Sequence, residues 1–139
     1  MNSTQTWVTV VKVALASVLA FVTDLLGGWG QSLEILTILI ALDMVSGWIR
    51  AAVQKKLSSN ESYKGVCKKL FVYIMVAVAM QIDRLAGLDF VGQAVALFYC
   101  AGEGLSILEN SVAAGLPVPD FLMAILQQLR EGKFQPEEE

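Results

Sequence analysis

Apolar residues fall in four long blocks along the chain, separated by short stretches rich in glycine or charge. Trp7 to Leu26 and Leu33 to Val53 are nearly unbroken. Leu70 to Ile82 is shorter, and Phe90 to Val112 is the most polar of the four. A helix rises about 1.5 Å per residue, so roughly 20 residues cross the ~30 Å hydrocarbon core of a bilayer. The third block reaches that length if Val66 to Lys69 and Asp83 to Ala86 form its interfacial ends, with Lys68, Lys69 and Arg84 extending toward the headgroups. The pattern therefore predicts spanning helices over about 7–26, 33–53, 66–86 and 90–112.

The breaks between blocks have their own chemistry. Gly27 to Ser32 is a turn by composition, and a second turn closes around Gly87, Leu88 and Asp89. Gly115-Leu116-Pro117-Val118-Pro119 ends the fourth block, because proline cannot continue a helix and glycine suits its C-terminal cap. Asp120 is then placed to cap a short amphipathic helix over 120–131, with Phe121, Leu122, Ile125, Leu126 and Leu129 on one side. Such a helix lies on the membrane or packs beneath the bundle. Ser58 and Glu61 have the spacing of a capping box, so a helix starting in the central linker can run into the third span. Asp83 and Arg84 are expected either to line an interface or to pair as neighbours in the turn.

Composition agrees with a membrane protein and adds its orientation. Of 139 residues, 55% are hydrophobic and 17% charged. The mean hydropathy of +0.59 exceeds what a water-soluble core of this size needs. The net charge of −3 is less informative than where the cations lie. Gln54 to Lys69 carries five lysines, Lys55, Lys56, Lys64, Lys68 and Lys69, whereas Arg84 is the only basic residue in the two short turns. By the positive-inside rule the linker is cytoplasmic, and with four spans both termini are too. These lysines are candidates for setting topology and contacting lipid. The first block carries Lys12 inside it and leads to no small-residue cleavage site, so it is expected to be a retained span rather than a signal peptide. One membrane domain, 1–139, accounts for the whole chain, and the acidic end Glu137 to Glu139 is expected to be solvated.

Charges inside the spans are the candidate functional residues, because intramembrane carboxylates face protein or water rather than lipid. Asp43 is the middle residue of the second block. Ala96, Glu103 and Asn110 recur every seven residues and share a helix face, with Cys100 and Ile107 beside them; Glu109, Gly102 and Gly104 lie in the same block. Glycine permits close helix approach in membranes. Arg50 stands seven residues after Asp43 on roughly the same face, about 10 Å along the axis, so direct pairing within the helix is not expected and a partner across a helix interface is the alternative. Lys12, Ala16, Ala20 and Asp24 fall along one side of the first helix. There is no histidine, and Cys67 and Cys100 lack metal-ligand or redox spacing. No catalytic residue, cofactor site or metal site is expected, and nothing suggests nucleic-acid binding.

Three stretches together resemble the small phage-encoded holins of the toxin-secretion and phage-lysis type. Asp43-Met44-Val45-Ser46-Gly47 is similar to that family's D-x-x-[ST]-G segment. The linker with Lys56-Leu57-Ser58-Ser59 and Lys64 to Lys69 is the second. Phe98-Tyr99 through Glu103-Gly104 to Asn110, followed by Gly115 to Pro119, is the third. They cover roughly Leu36 to Leu129 in the family's order. Gly102 departs from the pattern, in which Asn often precedes the Glu. The resemblance implies an all-α, integral membrane, non-enzymatic protein that self-associates in the bacterial cytoplasmic membrane. Such a protein opens timed lesions for an endolysin, and related proteins release toxins. On this reading Asp43, Ser46, Gly47, Arg50, Glu103, Gly104, Glu109 and Asn110 are candidates for subunit contact or the pore. Polar groups first satisfied within one subunit would later be satisfied between subunits. A small-ion or solute channel and a membrane anchor for a partner protein are the alternatives.

Overall fold

A computed structural model describes residues 3–132. It is all-helical over five elements: α1 (Ser3–Leu25), α2 (Gln31–Val53), α3 (Ser59–Ala86), α4 (Val91–Ala113) and α5 (Asp120–Glu131). The first four are each long and apolar enough to cross a bilayer, and α5, at 12 residues, is not. The acidic end at Glu137 to Glu139 lies outside the described residues.

Helix ends follow the local chemistry. α3 begins at Ser59, ahead of its apolar stretch, because the Ser58 hydroxyl accepts the Glu61 backbone N–H at 3.4 Å. Its 28 residues measure about 42 Å, so the linker-side end stands out beyond the hydrocarbon core. α3 closes on Gly87 in the left-handed conformation (φ 66°), where glycine avoids the Cβ clash. Asp120 is the first residue of α5 rather than its cap; Pro119 holds the cap position and makes no side-chain bond.

α4 is the centre of the bundle, packing against α2, α3 and α5. Ala96, Glu103 and Asn110 are buried on one side of it, and Ala101 and Leu105 on the opposite side. The chain reverses after Ala113 and α5 folds back along α4. There Gly104 leaves room for Leu126, whose methyl carbon would lie 3.3 Å from a Cβ at that position. α5 thus packs beside the fourth span rather than beneath the bundle.

Buried positions are spaced as single helix faces. On α2 they are Leu33, Leu36, Ile40 and Asp43, and on α3 Val72, Val76, Ala79 and Asp83. Leu26, Leu33, Leu36, Ile40, Val72 and Val76 form the apolar core, with Met80, Val95 and Tyr99 against it. Both helical faces therefore carry the apolar core and end on a carboxylate. α1 is different: none of its residues is buried, and it packs chiefly on α3 near the first turn. Its apolar surface is left uncovered by the other helices.

Candidate functional site

The site forms on the linker side of the core, where Asp43 of α2, Lys69 of α3 and Glu103 of α4 meet. Asp43 and Glu103 are each the thirteenth residue of a 23-residue helix, and α2 and α4 run the same way, so the two carboxylates lie at similar depth. Both are buried, at 8% and 6% exposure. Lys69 enters from α3 on the same face as Val72 and Val76, and its ammonium lies between them. Nζ is 2.7 Å from Asp43 Oδ2 and bonds Glu103 Oε2 directly. Asn110, also buried, donates from Nδ2 to Asp43 Oδ1 at 3.2 Å and to Ser46 Oγ at 2.9 Å. Ser46 Oγ in turn donates to the Asp43 carbonyl at 2.9 Å.

Three helices are thus joined through one ammonium. With all three groups ionised, two carboxylates share one cation and the cluster holds one excess negative charge. An isolated buried charge costs several kcal/mol, and breaking a buried pair by removing one partner costs about 3–5 kcal/mol. Nearer the core, Tyr73 donates to Thr37 Oγ1 at 2.9 Å, a second polar tie between α3 and α2. At the linker end Gln54 Nε2 donates to the Ala113 carbonyl at 3.2 Å, holding the ends of α2 and α4 together.

The sequence candidates separate into distinct environments. Asp43, Ser46, Glu103 and Asn110 come together. Gly47 faces Asn110 without crowding, since a Cβ there would stand 3.7 Å from Nδ2. Gly104 serves α5 instead, and Glu109 is exposed. Arg50 lies outside the cluster and lines an open cavity of about 330 Å³ between α2, α3 and α4. Lys55, Lys56, Lys64 and Lys68 are exposed, as expected for lysines at a membrane surface. Lys69, read from sequence as one more headgroup lysine, is turned inward instead. Its spacing is the available signal: Lys69 falls three residues before Val72 and so continues the buried face of Val72, Val76, Ala79 and Asp83.

A second polar cluster stands at the opposite end of the bundle. Asp83 does not pair with its neighbour Arg84. Its carboxylate accepts the backbone N–H groups of Val91 (3.0 Å) and Gly92 (2.7 Å), capping α4 from α3. Arg84 reaches Asp24 of α1 through both carboxylate oxygens, at 3.1 and 3.2 Å, and through its carbonyl at 2.6 Å. Gln81 donates to the Leu25 carbonyl at 2.9 Å, completing the tether of α1. Cys67 and Cys100 are free thiols. Among the described residues no group of three His, Cys, Asp or Glu side chains is placed to hold a metal ion.

Comparison with known proteins places this arrangement in a family. Residues 20–131 match the bacteriophage holin family. An uncharacterized protein of Clostridium perfringens strain 13 is 38% identical over 77% of this chain and 81% of its own length. A second Clostridium perfringens protein, an uncharacterized 14.9 kDa product, is 35% identical over 88% of this chain and 95% of its own. A probable holin of Bacillus phage phi105 is 36% identical over 63% of this chain and 65% of its own. No solved structure matches the chain. Four apolar spanning helices, a polar cluster buried among three of them and a match from the end of the first helix through the last agree on one assignment: the chain is a multi-pass membrane protein belonging to the bacteriophage holin family.

Proposed function

We propose that the chain acts as a holin in the bacterial cytoplasmic membrane, with its termini and lysine linker on the cytoplasmic side. It accumulates, self-associates, and at a set moment opens lesions through which an endolysin, or a toxin lacking a signal peptide, escapes. The observation that carries this reading is the Lys69 cluster in a chain of this family. Its polar groups are closed on themselves within one subunit, so a single copy has no need of partners. Opening it alone would cost about 3–5 kcal/mol. That cost falls away when the polar face of a second copy, or lesion water, replaces each contact, so opening is favoured only where copies are crowded. Crowding then sets the timing.

The test is inducible expression in a bacterium with and without a co-expressed endolysin that lacks its own signal. The expected result is abrupt growth arrest and loss of membrane potential in both cultures, with rapid lysis only when the enzyme is present. Continued growth with an intact potential, or conductance confined to small ions, overturns the reading.

A further inference from the structure

The cavity beside Arg50 stands over the cluster, and Asp43, Lys69 and Asn110 form part of its floor. It opens where α2 ends and α3 begins, at the level of the lysine linker, and its volume of about 330 Å³ is at the lower end for a small-ligand site. Its walls are of two kinds. Arg50, Lys68, Ser58 and Ser62 supply cations and hydroxyls, while Trp48 and Val66 supply apolar surface. Arg50 is half-buried in the last turn of a spanning helix, and it has no ion pair or hydrogen bond with another described residue. Lys68 is likewise unpaired, whereas Lys69 at the floor is committed to Asp43 and Glu103.

Glu61 also lines the cavity and opposes an anion. It stands in the first turn of α3, where the positive end of the helix dipole offsets part of its charge. Asp43 lines the floor as well, where Lys69 meets it; of the ionisable side chains in the lining, Arg50, Lys68 and Lys69 face Asp43 and Glu61, which leaves the walls one charge positive. Arginine presents a planar fork that matches phosphate oxygens, and lysine adds a point charge. A tryptophan beside them suits a site that is wet at one end and apolar at the other.

We propose that this cavity holds the phosphate of an anionic phospholipid headgroup, bridging Arg50 of α2 and Lys68 of α3. A soluble phosphate would satisfy the same cations, but the apolar wall and the depth at the end of two spans favour a lipid. An occupant here ties α2 to α3 directly above the Lys69 cluster. The proposal needs only the membrane spans, and it stands whether or not the chain makes lesions.

The test uses the full chain purified in detergent, with phosphatidylglycerol and phosphatidylcholine as probes and bound lipid counted by native mass spectrometry. The expected result is one retained phosphatidylglycerol per chain in preference to phosphatidylcholine. R50Q and K68Q should each weaken retention about fivefold to tenfold. K55Q and K56Q, which remove the same charge from the same linker outside the cavity, should change it less than about twofold. Helix content by circular dichroism checks that the variants are folded, and K68Q, at an exposed position, keeps the test valid if R50Q is not. Equal retention of the two lipids, equal loss from K55Q and K56Q, or displacement by millimolar inorganic phosphate would each overturn the proposal; the last assigns the site to a soluble anion.

Discussion

The two ends of the bundle handle charge in opposite ways. At the first-turn end every charged group is met locally or at the surface. Asp83 accepts two backbone N–H groups fixed by a turn of a few residues, and Arg84 pairs with Asp24 where both are substantially exposed. On the linker side of the core, the buried carboxylates of Asp43 and Glu103 share the half-buried Lys69 ammonium, from three helices far apart in sequence. Backbone donors cannot be supplied by another molecule without unfolding the turn, whereas side chains on three separate helices can be. The first arrangement therefore fixes the fold, and the second is the one suited to exchange between copies.

Lys69→Met should have the largest effect, because it leaves two buried carboxylates without a cation. A loss of about 3–5 kcal/mol is expected, read as a lower SDS fraction at half-unfolding in mixed micelles. In cells the same variant should lose membrane potential early or fail to accumulate. Asp83→Ala comes next. Orphaning two N–H groups of α4 costs about 2 kcal/mol in the same titration, without the early loss of potential. Equal cellular phenotypes for the two variants would remove the distinction between the ends.

The carboxylates sharpen the comparison further. Glu103→Gln leaves Lys69 and Asp43 as a balanced pair and keeps an acceptor for the ammonium, so the closed subunit gains and loss of potential should come later. Asp43→Asn removes the charge that holds both Lys69 and Asn110, and loss should come earlier. Both variants triggering at the wild-type time would deny either carboxylate a role. The smallest effect is expected from Arg84→Gln, an exposed ion pair contributing about 0–1 kcal/mol and less at high salt. The accessibility of α1 to protease is its more sensitive readout, since that tether is one of few contacts holding the helix.

Local rules carried the sequence a long way. Block length gave the four spans, proline and glycine gave the turn after α4, and the Ser58 to Glu61 spacing marked the start of α3. The seven-residue recurrence of Ala96, Glu103 and Asn110 identified a face that is buried in the fold. These features depend on residues within two or three turns of each other, where helical geometry is known beforehand. The family resemblance read from Asp43 to Gly47, the linker and the Glu103 region followed from the same local patterns.

Partnership across helices was not legible in that way. Lys68 and Lys69 are adjacent in sequence but about 100° apart around the helix, so one is exposed and the other half-buried against the core. Asp83 and Arg84 divide for the same reason, one toward α4 and one toward α1. The pattern of α3 places Lys69 on the core face, but only packing decides that Asp43 and Glu103 stand at the depth its ammonium reaches. By itself the sequence determined the spans, their ends and the polar faces. The tertiary structure decided which charges meet, because a helix fixes the direction a side chain takes and only its neighbours fix what it finds there.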